Sequence, residues 1–201
     1  MLIHGNGKEL PKEIDPKNNI CLVVSHLDGS KDWWYGSNKV TDDGDIYYAK
    51  KSASETPATN ENFGASVCVL QNPASADTIN KDDTYGDVNS PIINTTIDGV
   101  TTNGNAIRPL TSTYPKTADA DSDNTGASAD AISYRFDWAT TQINTAAGNP
   151  ITGGAIYDVG QTSPIAATKI LTHWNFTSPA TFHKTSTDTL KLFVNHTFNG
   201  V

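Results

Sequence analysis

The sequence predicts an all-β fold: an antiparallel β-sandwich, jelly-roll-like, with an extended N-terminal arm. Three observations predict it. Ile132, Tyr134, Phe136 and Trp138 alternate with Ser133, Arg135 and Asp137. Leu190, Leu192, Val194, His196 and Phe198 alternate with Lys191, Asn195 and Thr197, and Phe193 breaks the pattern. Period-two alternation sets one face of a strand toward a core and the other toward water. The third observation is compositional. Thr, Asn, Asp and Gly are abundant and Leu and Glu are scarce, which suits strands and turns and disfavours long helices.

Taken in order, residues 1–18 are polar, carry Pro11 and Pro16, and are predicted to form the arm. Residues 19–201 form a single domain. Ile20 to His26 is a short apolar strand ending at Asp28-Gly29. Trp33, Trp34 and Tyr35 follow that turn. A turn at Asp42-Asp43-Gly44 leads into a small strand from Asp45 to Ala49, and a loop covers residues 50–64. Ser66 to Gln71 is a buried strand. Pro91 to Ile97 and Val100 to Leu110 flank Asp98-Gly99, a hairpin signal. A long loop runs from Thr111 to Ala129. The strongest strands are 131–139, 154–159, 165–176 and 189–198, with Thr152-Gly153-Gly154 punctuating the gap before the second. Strands of this length without amphipathic helices between them point to a sandwich.

The 201 residues are 36% hydrophobic and 18% charged, with a net charge of −8. That balance disfavours nucleic acid as a partner. No run reaches membrane-spanning length, and the stretch after Met1 is too short and polar for a secretory leader, which predicts synthesis in a cytoplasm. Cys21 and Cys68 each sit in an apolar run and are expected as buried thiols, with a disulfide as the alternative.

Asp119, Asp121 and Asp123 alternate, and Asp130 is twelfth counting from Asp119. This is part of an EF-hand ligand pattern without its glycine, its closing glutamate or flanking helices. The two readings are a solvated acidic loop and a calcium loop of another kind. Asp42, Asp43 and Asp45 read first as a turn. The five histidines show no metal-ligand spacing, and no nucleophile elbow or phosphate-binding glycine loop is present. The expectation is a non-enzyme without a resident cofactor. Three aromatics in a row, Trp33, Trp34 and Tyr35, cannot all face one core. At least one points outward, either beneath the arm or as a platform for a partner protein or a sugar.

The C-terminal third carries a resemblance. Ile132-Ser133-Tyr134-Arg135-Phe136-Asp137-Trp138 is followed by Ile151-Thr152-Gly153-Gly154-Ala155-Ile156-Tyr157-Asp158 and by Ile165 to Leu171. Trp174-Asn175-Phe176, Phe182-His183-Lys184 and Asp188-Thr189-Leu190-Lys191-Leu192 complete the series. Residues 131–201 in this order resemble a module of tailed-bacteriophage virion structural proteins. The resemblance implies a β-sandwich in a non-enzymatic component of head, neck or tail, assembled as a homo-multimer with other virion proteins. The alternative function is a receptor- or carbohydrate-binding module of a phage fibre or surface appendage. In that case Trp33, Trp34, Asn38 and Asp42 would hold a host glycan.

Overall fold

The computed structural model describes residues 20–58, 61–72, 77–92, 95–97, 100–102, 107–118, 131–143, 151–158, 167–176 and 183–197. Residues 1–18, expected as the arm, and Asp119, Asp121, Asp123 and Asp130 lie outside them.

Two five-stranded antiparallel sheets pack face to face. Sheet A has the order β2 (Lys31–Gly36), β1 (Ile20–Ser25), β12 (Thr189–Thr197), β9 (Ala131–Trp138), β8 (Lys116–Ala118). Sheet B has the order β3 (Asn38–Val40), β11 (Ile170–Asn175), β10 (Gly153–Asp158), β4 (Ser66–Gln71), β7 (Arg108–Pro109). β5 (Thr95–Ile97) and β6 (Val100–Thr102) pair antiparallel as a separate two-stranded sheet, and Asp98-Gly99, read as the hairpin turn between them, lie outside the described residues. The first and last described strands, β1 and β12, pair with one another inside sheet A.

Register explains the core. Across the inner face of sheet A, Trp34 lies opposite Leu22, Leu22 opposite Leu192, and Leu192 opposite Phe136. Flanking rungs are Val24–Leu190–Trp138 and Ile20–Val194–Tyr134. All of these are buried, and they join Cys68, Leu70, Ile156 and Trp174 of sheet B in one cluster. Each such side chain contributes about 1.5–3 kcal/mol relative to exposure.

Sheet B is apolar on its other face too. Val67, Val69, Ala155, Tyr157 and Ile170 pack under Tyr85 and Val88 of the 77–92 segment. Strands covered on both faces read as continuous apolar runs, which is how β4 appears in the sequence. His173 fastens this cover. Its Nδ1 lies 2.8 Å from Asp83 Oδ2 and its Nε2 3.2 Å from Gln71 Oε1. The Asn80 and Asn89 backbone N–H groups donate to Asp83 and Asp77, fixing both carboxylates.

β8 (Lys116–Ala118) is a strand within the stretch 111–129 expected as a loop, held there by its pairing with β9, and two further elements differ from expectation. Residues predicted as a turn and a strand at 42–49 form a helix, α1 (Asp42–Ser52). The Thr41 hydroxyl accepts from the Gly44 N–H at 3.1 Å and caps it, Asp42, Asp43 and Asp45 occupy its first turn, and Lys50 and Lys51 its last. All three features favour helix through capping and the helix dipole. The helix therefore also covers part of the 50–64 stretch expected as loop. Tyr47 and Tyr48 bury against Phe63 and His196. Glu61 ties the helix down, accepting from Lys50 at 2.6 Å and Lys169 at 2.8 Å. These bonds, Lys169 first, bring its carboxyl down to about 2.

The second difference is at Gly153, read as part of the punctuation before the strand, which lies inside β10 beside Gly154. A Cβ on Gly153 would stand 2.2 Å from the Trp174 carbonyl oxygen, and one on Gly154 2.6 Å from that of Val69. The two glycines let strands approach too closely for any side chain. Cys21 and Cys68 are buried thiols on different sheets.

Candidate functional site

The outer face of sheet A has no counterpart, among the described residues, to the segment that covers sheet B. It holds a concavity of about 440 Å³. Its position follows from register. Val23 pairs with Trp33 on one side and Lys191 on the other, Cys21 pairs with Phe193, and Phe193 with Arg135. Since Leu22 and Trp34 point to the core, their neighbours Cys21, Val23 and Trp33 point outward by strand alternation.

Trp33, Tyr114 and Phe193 supply the aromatic surface. Lys31, Lys116 and Lys191 stand around them, all exposed. Ser133 and Asn195 add hydrogen-bonding groups. Lys116 Nζ lies 4.9 Å from the Tyr114 ring centre. The Arg135 guanidinium sits 5.6 Å from the Phe193 ring centre and 5.9 Å from that of Tyr114. Its Nε and Nη2 both donate to the Asp137 carboxylate, at 2.9 Å. A guanidinium held between two rings and clamped by a carboxylate is a fixed platform. None of the described lining residues is acidic, so the site is cationic on a chain of net charge −8. It can stack a flat or apolar group and pair with an anion.

Trp33 and Trp34 do not act together. Trp34 is buried in the core and Trp33 lines the concavity. Tyr35 pairs with Cys21 in the register. The glycan set of Trp33, Trp34, Asn38 and Asp42 is not assembled. The Asn38 side chain donates to Thr172 Oγ1, and Asp42 starts α1. Tyr114, Lys116 and Phe193 were not foreseen as site residues. The available signal was Phe193 itself, the large apolar residue out of phase in β12, which marks an outward apolar position as Trp33 does in β2.

The other polar clusters are committed to the fold. His26 Nδ1 lies 2.9 Å from Asp188 Oδ1 and its Nε2 3.1 Å from Asp32 Oδ2. Burial disfavours its charge, but the two carboxylates outweigh that and raise its pKa above 6.5. His196 Nδ1 pairs with the Tyr48 hydroxyl, and the Tyr48 and Tyr134 hydroxyls are 3.2 Å apart. Complete burial pushes the His196 imidazole down to about 3 and keeps it neutral. Among the described residues no group of three or more His, Cys, Asp or Glu is placed to hold a metal ion, and no helix is long and apolar enough to cross a membrane.

Comparison with protein families, with curated proteins and with solved structures gives no match. The fold and the face define an all-β sandwich in which, among the described residues, a covering segment is seen over sheet B and none over sheet A.

Proposed function

We propose that this chain is a non-enzymatic virion structural protein of a tailed bacteriophage, and that it associates with copies of itself and with another particle protein at the capsid surface, neck or tail. The single observation that carries a binding role is the asymmetry of the sandwich. Among the described residues, sheet B is covered by the 77–92 segment, whereas sheet A presents Trp33, Tyr114 and Phe193 on its outer side. Aromatic side chains in a concave patch are the residues that anchor protein interfaces, at about 2 kcal/mol or more each when they act as hot spots. The order of strands in residues 131–201 supports the particle assignment by its resemblance. The test is the absolute mass of the purified protein by light scattering: a defined multimer supports the reading, and a monomer at every concentration removes its self-association.

A second reading has a specific observation in its favour. Trp33 stands beside Asn195, Ser133 and three lysines in one concavity, and sugars are held by stacking on an aromatic face with polar groups around its edge. Binding to a host glycan that is lost in Trp33→Ala would favour this reading, and absence of binding across neutral and acidic glycans would oppose it.

A further inference from the structure

The outer faces of the two sheets differ in charge. The concavity on sheet A carries Lys31, Lys116 and Lys191. All three are exposed and none has an ion pair among the described residues. On the opposite side of the sandwich, the 77–89 segment over sheet B carries Asp77, Asp82, Asp83 and Asp87 against Lys81. Lys81 is drawn away toward Asp42 and Asp45 of α1. Asp77 and Asp83 are turned in toward His173. Asp82 and Asp87 remain exposed.

We propose that copies of this chain associate head to tail, the cationic aromatic face of sheet A on one copy seating on the acidic 77–89 segment of the next. The inference rests on the self-association proposed above and specifies its surfaces. Charge decides the geometry. A two-fold pairing of sheet A faces would set the patch of Lys31, Lys116 and Lys191 against its own copy, and like charges brought together in a partly desolvated interface repel. The complementary arrangement brings lysines to Asp82 and Asp87 and places Trp33 and Phe193 under the covering segment. Such a contact uses two different patches, so it is heterologous. It closes into a ring when the rotation between copies divides a full turn, and otherwise extends as a filament.

The test uses charge reversal on each patch and then in mixture, with mass measured by light scattering at low salt. Lys31→Glu/Lys191→Glu and, separately, Asp82→Lys are each expected to weaken association at least tenfold without shifting the melting temperature. Asp82→Lys touches no cap or core contact among the described residues. Asp82→Lys/Asp87→Lys is a stronger version that also removes the bonds Thr84 donates to Asp87, and Asp87→Ala controls for that loss. Mixed one to one, the two reversed proteins are expected to regain multimers in strict alternation, because each reversed face then meets a reversed segment. Wild-type multimers that ignore both reversals, or reversed proteins that fail to complement, overturn the head-to-tail interface and leave self-association standing. A wild type that is monomeric throughout overturns both.

Discussion

Trp33 and Trp34 are adjacent in the chain and lie on opposite faces of sheet A. Trp34, opposite Leu22, is 6% exposed within the core, while Trp33, opposite Val23, lines the outer concavity. One residue is therefore committed to stability and its neighbour is available for binding. Trp34→Ala is expected to cost about 3–5 kcal/mol, the range for truncating a buried aromatic. Trp33 is half-buried, and Trp33→Ala is expected to cost about 1 kcal/mol, the middle of the range for point changes, while weakening association. Denaturant unfolding of the two variants measures the contrast.

The second prediction concerns His26, which bridges Asp32 of β2 and Asp188 just before β12. Its pKa is raised on folding, so the contact contributes fully below the ordinary value of 6.5 and fades as pH rises through the raised folded value. The stability difference between wild type and His26→Gln should therefore shrink as pH rises above about 6.5. Melting curves in that range suffice, provided they stop short of pH 8, where buried Lys184, its pKa lowered to about 8 by desolvation, begins to add stability of opposite slope. A constant difference would show that His26 does not carry its charge through these carboxylates.

Acid should act at the other end of the core. His196 is neutral when folded and titrates near 3, against 6.5 when exposed. Stability is thus lost as pH falls from about 6.5 toward 3, because the unfolded chain takes up a proton that the folded one refuses. Tyr48→Phe removes the partner of Nδ1 and should destabilise the protein by about 1–3 kcal/mol, the cost of an unsatisfied buried polar group. Urea unfolding at neutral pH reads this directly.

Gly153→Ala tests the close strand approach in sheet B. Its Cβ would meet the Trp174 carbonyl at 2.2 Å, and backbone cannot yield as a side chain can. A loss of about 1–3 kcal/mol is expected, typical of overpacking. Gly64→Ala, whose nearest contacts are 3.3 Å away and are side-chain atoms, should cost less by the same unfolding assay.

These elements also show how far the sequence could be read. Strands β9 and β12 of sheet A were legible because one side faces a core and the other does not, so Tyr134, Phe136 and Trp138 alternate cleanly with polar residues. Helix α1 was hidden. Its apolar residues Ile46, Tyr47 and Tyr48 are consecutive and Gly44 sits in its first turn, so no helical stripe appears. Gly44 is there because a Cβ would lie 2.4 Å from the Leu171 carbonyl, a tertiary demand that overrides propensity. The cap at Thr41 and the Asp-rich start were the local signs. The binding face was half legible. Three aromatics in a row announced that one must point outward, but Tyr114 and Lys116 reach it only through the pairing of β8 with β9, which no local pattern encodes.

The most direct test of the account is acrylamide quenching of tryptophan fluorescence as protein concentration rises. Of the four tryptophans, Trp34, Trp138 and Trp174 are buried and Trp33 is the one on the outer face. The quenchable component therefore reports Trp33, and Trp33→Phe should remove it. If the outer face of sheet A is the association surface, that component disappears as the mass rises. It returns in about 1 M salt, where charges are screened beyond about 3 Å. Quenching that persists unchanged while the protein multimerises would contradict the account, since the copies would then be meeting elsewhere.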